Sequence, residues 1–344
     1  MVDEQDGASR RLETDSANRA RNRLSGARIV VTGGAGFIGS EVTASLLRAG
    51  VDVKVVDDLS TGRMSLLGSA FRFGLTDRDV RVVDVRSSEC ADLIVRWRPD
   101  VVVHMAAQAS LPAALRAPLV DADINIRGSV NLLQACVQAE VGLVVFAASA
   151  AMYGQVPPEQ LPVTEAQPLT PSSPYGLSKA TVLHYLELFQ RHHGLAHVAL
   201  ALANVYGPRR FGSGGGVIPK IATDVVHARR PRITGDGHQT RDFVYVTDVA
   251  EAVALACTGE ASGLINIASG KETNVLEVVE TVGRVAGADI APVFTPAVPG
   301  EARRMVMDIR RAREVLGWQP KVDVGTGITA VVRAVHAAQQ GVAV

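Results

Sequence analysis

The sequence predicts an α/β protein: a doubly wound, mostly parallel sheet with helices on both faces, joined to a smaller, loop-rich α/β lobe. Three observations lead there. Short runs rich in valine, isoleucine and alanine recur up to residue 203, and they are continuous rather than alternating, as in strands covered on both faces. Stretches with helical spacing separate them, which is the order of a βαβ chain. The first run ends in a glycine cluster that opens a helix.

The elements follow in order. Arg28 to Thr32 reads as a strand, Phe37 to Ala49 as a helix and Val51 to Val56 as the next strand, completing one βαβ unit. Further strands are expected at Val80 to Val85, Val101 to Met105 and Leu143 to Ala148, with helices at 88–97 and 118–139. Beyond residue 149, Pro157, Pro158, Pro162, Pro168, Pro171 and Pro174 mark an irregular segment that leads to a helix at Tyr175 to His193 and a strand at Ala196 to Ala203. The reading divides the chain into a tail at 1–25, polar and expected to be disordered, a dinucleotide-binding domain at 26–203 that includes the helix from Tyr175, and a lobe at 204–344. Segments near 242–268 are expected to return to the first domain.

Composition narrows the function classes. Lysine plus arginine and aspartate plus glutamate are equal at 35 each, so no overall field points to nucleic acid or an anionic membrane. Cys90, Cys136 and Cys257 have no paired spacing, which speaks against a zinc site or a disulfide framework and fits a reducing cytoplasm. No stretch reads as an uninterrupted membrane span, and no metal-ligand constellation emerges. His104 is expected to be a packed histidine bonded to backbone, and His192 and His193 to meet the carbonyls at a helix end.

The glycine cluster Gly33-Gly34-Ala35-Gly36-Phe37-Ile38-Gly39 carries the first chemistry. Glycines let the backbone approach a pyrophosphate while the helix N-terminus offers unpaired N–H donors. The next strand ends at Asp57, where a carboxylate can accept both hydroxyls of an adenosine ribose and repel a 2′-phosphate. That favours NAD over NADP. Tyr175 and Lys179 lie four apart on one helix and therefore on one face. A tyrosine is a poor base at neutral pH unless a nearby ammonium stabilises its phenolate, and Lys179 can do so. Ser149 ends the fifth strand, where open α/β sheets bind ligands.

The stretches VTGGAGFIGS, VVDDLSTG, VVHMAAQAS, NIRGSVNLL, ASAAMYG, PYGLSKA, NVYGPRR, GDGHQTRDFVYVTDVA and PGEARRMVMDIRRAREVLGW, in this order, resemble the extended short-chain dehydrogenase/reductases, and within them the NAD-dependent epimerase/dehydratase family typified by UDP-glucose 4-epimerase. The resemblance spans residue 27 to about 335 and implies a Rossmann-type sheet. It assigns Ser149, Tyr175 and Lys179 as catalytic. For NAD it implies Gly33, Gly36, Phe37, Ile38, Gly39, Asp57, Asp58, Ser60, Thr61, Gly62, Asp84, Val85, Ala106, Ala107, Gln108 and Asn125, together with Tyr175 and Lys179. Asp84 and Val85 fall at the adenine. For the nucleotide-sugar it implies Ser110, Asn204, Val217, Thr234, Arg241, Glu301 and Met305 beside Ser149 and Tyr175. Without it, Arg241 next to Asp242 reads as a surface ion pair.

Dehydratases of this branch carry an acid pair directly after the catalytic Ser/Thr, and here Ala150 and Ala151 stand there, which sets that reaction aside. The expected activity is NAD-dependent 4-epimerisation of a nucleotide-sugar, of UDP-hexose type, in the cytoplasm. A nucleotide-deoxysugar 4-ketoreductase shares the same residues, and a non-catalytic nucleotide-binding regulator shares the fold. Where the family places an arginine before Pro-Gly-Glu/Asp, this chain has Val298; Arg303 or Arg304 is the candidate substitute, or the nucleotide sits differently. Met305 occupies the position beside the hexose and leaves the sugar open. The family also pairs two helices per subunit in a four-helix interface, so a homodimer through 118–139 and 175–193 is expected.

Overall fold

The computed structural model describes residues 23–208, 216–297 and 302–340; most of the expected tail, together with Val298 and Glu301, lies outside them. The described residues form twelve β-strands with helices between them. The main sheet has seven strands in the order β10-β6-β5-β4-β1-β2-β3: β1 is Arg28–Thr32, β2 Asp52–Asp57, β3 Val80–Val82, β4 Val101–His104, β5 Leu143–Ser149, β6 Ala196–Leu202 and β10 Gly263–Ile267. Every pairing in it is parallel. The order reverses direction at β1 and β4, and that switch point is where open α/β sheets bind ligands.

Valine-rich strands of this kind, buried on both faces, require helices on each side. Ile29, Val30, Val31, Val102, Val103, Val144 and Val145 are fully buried. The expected strand at Val80 to Val85 shortens to Val80–Val82, because Asp84 turns its carboxylate back onto the Arg86 N–H. The expected helix at 118–139 is two α-helical pieces, Pro118–Ala122 and Gly128–Gln138, joined by a π-turn at Asp123–Arg127. Periodicity does not reveal a single wide turn, since apolar spacing resumes beyond it.

After β6 the chain alternates between two apolar clusters. One surrounds the main sheet and takes in Val246 to Cys257, Ile265, Ile267 and Met305 to Trp318; the other holds Tyr206, Ile218, Ile221, Ile233, Phe243, Val278, Val282, Ile328 and Val331. A three-stranded sheet of β11 (Glu272–Asn274), β9 (Thr240–Tyr245) and β7 (Asn204–Tyr206) lies between them. Val244 faces the first cluster, while Phe243 and Tyr206 face the second. A two-stranded parallel sheet of β8 (Arg232–Thr234) and β12 (Val293–Thr295) completes the lobe. Among the described residues no helix is long and apolar enough to cross a membrane.

Candidate active site

The glycine loop between β1 and the Phe37–Arg48 helix is built without room for side chains. Gly33 has φ +68°, and a Cβ there would lie 2.6 Å from the Ala106 nitrogen. A Cβ on Gly34 would lie 2.8 Å from Val55 Cγ1. Gly36 caps the helix with no side chain in the cap, so the first-turn N–H groups have no side-chain acceptor at the cap. A backbone pressed this close to the sheet, at the positive end of a twelve-residue helix with no side-chain cap, fits a dinucleotide pyrophosphate.

Asp57 closes the same pocket from β2. Its Oδ2 accepts from the Ala35 N–H and its Oδ1 from the Leu59 N–H, both at 2.9 Å. Burial raises its pKa, and the two backbone donors pull the other way. Gly62 passes so near that a Cβ would lie 2.6 Å from Asp57 Oδ1. Asp58 is exposed and turns onto the N–H and hydroxyl of Ser60. Thr61 lies beside them in the same loop. At the far side, Asp84 is engaged by Arg86, which holds its carboxyl below the usual range, and the Val85 carbonyl accepts from Asn131.

A polar chain runs beneath the ends of β1 and β4. The Ala106 N–H donates to Thr32 Oγ1 at 3.4 Å, Thr32 Oγ1 meets His104 Nδ1 at 2.7 Å, and His104 Nε2 meets Ser129 Oγ at 2.8 Å. Ser129 donates its own hydrogen to the Asn125 carbonyl. His104 Nε2 therefore carries the proton and Nδ1 accepts from Thr32. Burial, with the Lys179 charge acting in the same direction, pulls His104 down to about 3, so it is neutral. The expectation of a backbone-bonded histidine is corrected: its partners are two hydroxyls. His193 packs against Phe189 with the rings tilted by 50° and their centroids 5.4 Å apart.

Asn125, in the π-turn, is buried. Its Oδ1 accepts from the Gln108 N–H at 2.8 Å, and its Nδ2 donates to the Gln108 carbonyl and to Ser178 Oγ. Ala106, Ala107 and Gln108 stay half-exposed along the end of β4. Ser110, exposed, caps the following helix.

Ser149 ends β5 and its hydroxyl accepts from the Ala151 N–H at 3.2 Å. The Pro174–His193 helix starts beside it: Ser173 caps the helix, Pro174 fits its first turn, and Gly176 packs on the Ala151 carbonyl, where a side chain would collide. This seats Tyr175 and Lys179 at the end of β5. Lys179 Nζ is buried, donates to the Ala147 carbonyl at 2.8 Å, and lies 5.9 Å from the Tyr175 ring centre and 4.7 Å from that of Phe146. Burial pushes the Lys179 ammonium down to about 7. In its charged form, a lysine this near the Tyr175 ring favours the phenolate over the phenol.

In the lobe, β7 pairs with β9 so that Asn204 lies opposite Phe243, which puts Asn204 and Arg241 on one face of the small sheet. Thr234 ends β8, half-buried, and Val217 opens the Val217–Val226 helix. Met305 is 8% exposed and packs into the main-sheet cluster. Two expectations are corrected. Asp242 does not form a surface pair with Arg241: it is 1% exposed and accepts from Ser269 N–H and Oγ, Gly270 N–H and Met307 N–H. Alternation along β9 sends it to the opposite face. Arg303 and Arg304 are not free substitutes for an arginine at Val298, since each grips a carboxylate with two nitrogens, Asp236 at 2.7 and 2.8 Å and Glu272 at 2.9 and 2.6 Å.

This arrangement of sheet, glycine cradle and Ser/Tyr/Lys set has counterparts among known proteins. The model of the NAD dependent epimerase/dehydratase family matches residues 29–268. A UDP-glucose 4-epimerase of Mycolicibacterium smegmatis is 38% identical over 310 residues, covering 89% of this chain and 97% of that protein. The crystal structure of UDP-glucose 4-epimerase from Thermotoga maritima with UDP-glucose matches with a TM-score of 0.84 at 34% identity, covering 91% of this chain and 99% of that one. The Thermus thermophilus UDP-glucose 4-epimerase in complex with NAD gives 0.82 at 37% identity, over 90% and 99%. The family resemblance carried by the motifs is borne out over most of the chain, and the protein belongs to the NAD-dependent epimerase/dehydratase family.

Proposed function

We propose that this protein is an NAD-dependent epimerase that inverts C4 of the hexose of a UDP-linked sugar. The observation that carries the reading is Ser149, Tyr175 and Lys179 converging at the end of β5 while Ala150 and Ala151 follow Ser149, so the site has a proton-handling set and no adjacent acid pair. Relatives named UDP-glucose 4-epimerase, with solved structures holding NAD and UDP-glucose, support it.

NAD fits the Gly33–Gly39 cradle and the Asp57 carboxylate, with Ala106 to Gln108 and Asn125 along its course, and it supplies a reversible hydride acceptor when bound. The chain's residues do the rest. Tyr175 Oη, as phenolate, takes the proton of the sugar 4-hydroxyl, and Lys179 Nζ stabilises that phenolate. Ser149 Oγ hydrogen-bonds the same sugar oxygen and keeps it in line with Tyr175. After the 4-keto ring has turned, Tyr175 returns its proton to that oxygen. Asn204, Thr234 and Arg241 hold the nucleotide and diphosphate, so that the hexose alone turns. Residues 26–203 bind NAD, the 204–344 lobe binds substrate, and 242–268 rejoins the sheet.

The purified protein, incubated without added cofactor with UDP-glucose, UDP-N-acetylglucosamine and UDP-glucuronate in turn, is expected to invert C4 of one of them, read by proton NMR. No inversion of any, with NAD added as well, would overturn the reading.

The assembly we infer is a homodimer. Leu111, Leu115, Leu119, Val120 and Leu177 are exposed, Leu119 by 85%, along the 111–122 helices and the start of the 174–193 helix, an apolar face that a second copy can cover. Gel filtration at micromolar concentration is expected to give twice the chain mass, and Leu119→Glu with Leu177→Glu to give the monomer. A wild-type monomer contradicts this. Three free, buried cysteines fit a cytoplasmic setting.

A further inference from the structure

Asp121 is a buried carboxylate that the functional reading leaves unused. It is 1% exposed, on the Pro118–Ala122 helix one turn before Asn125. Its Oδ1 accepts from Gln108 Nε2 at 3.0 Å and from Asn125 Nδ2 at 3.1 Å. These donors are neutral amides. An ionised carboxylate kept from water is costly unless other charges offset it, so its position against the Lys179 helix calls for an explanation.

The bonds supply one. By accepting from Asn125 Nδ2, Asp121 fixes which end of that amide carries nitrogen and leaves Oδ1 for the Gln108 N–H. The same Nδ2 reaches Ser178, the residue before Lys179. We propose that Asp121 is a positioning residue for the Tyr175–Lys179 pair: its carboxylate orients Asn125 and Gln108 along the cofactor's course and sets a negative charge that offsets part of the cost of burying Lys179. This rests on the functional reading of that pair. Burial lowers the Lys179 pKa and the Asp121 charge raises it. The other titratable groups facing Lys179 are Tyr175 on its own helix and His104 from β4, which is neutral. Asp123 and Arg127 on the following turn are engaged with each other, and Asp123 also with Arg86.

The test uses full-length protein with ε-carbon-labelled lysine, of which the chain has five, titrated by NMR with and without NAD; loss in Lys179→Met identifies the Lys179 signal. Asp121→Asn is expected to lower its midpoint by about one pH unit, with NAD still bound, and to move the alkaline limb of turnover the same way. Asp121→Glu, which keeps the charge, is expected to leave the midpoint near the wild-type value. Coincident midpoints in wild type and Asp121→Asn overturn the proposal, whatever happens to the melting temperature. If the amide variant does not fold, Asp121→Ser, smaller and uncharged, is read by the same criterion. A wild type that inverts no sugar overturns the functional reading instead, and the lysine titration still decides this one.

Discussion

Phenylalanine at Tyr175 is expected to reduce C4 inversion by ~10³-fold or more while NAD still copurifies with the protein. The substitution removes one oxygen and keeps the ring that lies 5.9 Å from Lys179 Nζ, so the glycine cradle and the Asp57 pocket stay intact. The loss should fall on kcat rather than KM, because the hydroxyl acts on the proton moved in the reaction and not on the nucleotide that anchors the substrate. Cofactor content is measured from the absorbance of the denatured supernatant and turnover by NMR. Near wild-type turnover in this variant would mean that another group moves the proton.

Lys179→Met is expected to separate stability from activity. In the cofactor-free protein the lysine pKa falls from 10.5 in the unfolded chain to about 7. Between those values the unfolded chain holds a proton that the native one has released, so this group adds stability as pH rises from 7 towards 10.5, and at or below pH 7 the charged native form carries the full penalty. At about 1.4 kcal/mol per pKa unit, that penalty is on the order of a few kcal/mol. Methionine of similar length removes it, although the Ala147 carbonyl loses its donor at a cost of about 1–3 kcal/mol. The variant should therefore melt no lower than wild type at pH 6, lose that advantage near pH 10, and invert sugars at least ~10³-fold more slowly. A clear drop in melting temperature at pH 6 would show that Lys179 is held mainly for packing.

Much of the candidate site was legible because its chemistry is local. The glycine cluster, the carboxylate at the end of β2 and the Tyr175–Lys179 spacing each depend on the geometry of one turn, one strand end or one helix face, and such geometry follows from periodicity. The fate of charges was not legible. Asp242 sits next to Arg241 in sequence, yet the alternation of a strand buried on both faces sends it inward to bind Ser269, Gly270 and Met307. Arg303 and Arg304 are committed to Asp236 and Glu272, 67 and 32 residues away in the chain. Asp121 carries no signal of its own in the sequence, and only folding places Gln108 and Asn125 against it.

By itself the sequence determined the parallel sheet, the dinucleotide loop, the catalytic helix and the family, because continuous apolar runs, glycines before a helix and a four-residue spacing act over short stretches of chain. Only the tertiary structure decided the π-turn that presents Asn125, the neutral state of His104 and the balance of charge around Lys179. Each of these depends on which groups from distant segments are brought out of water together, and desolvation belongs to a place in the fold rather than to a residue in the chain.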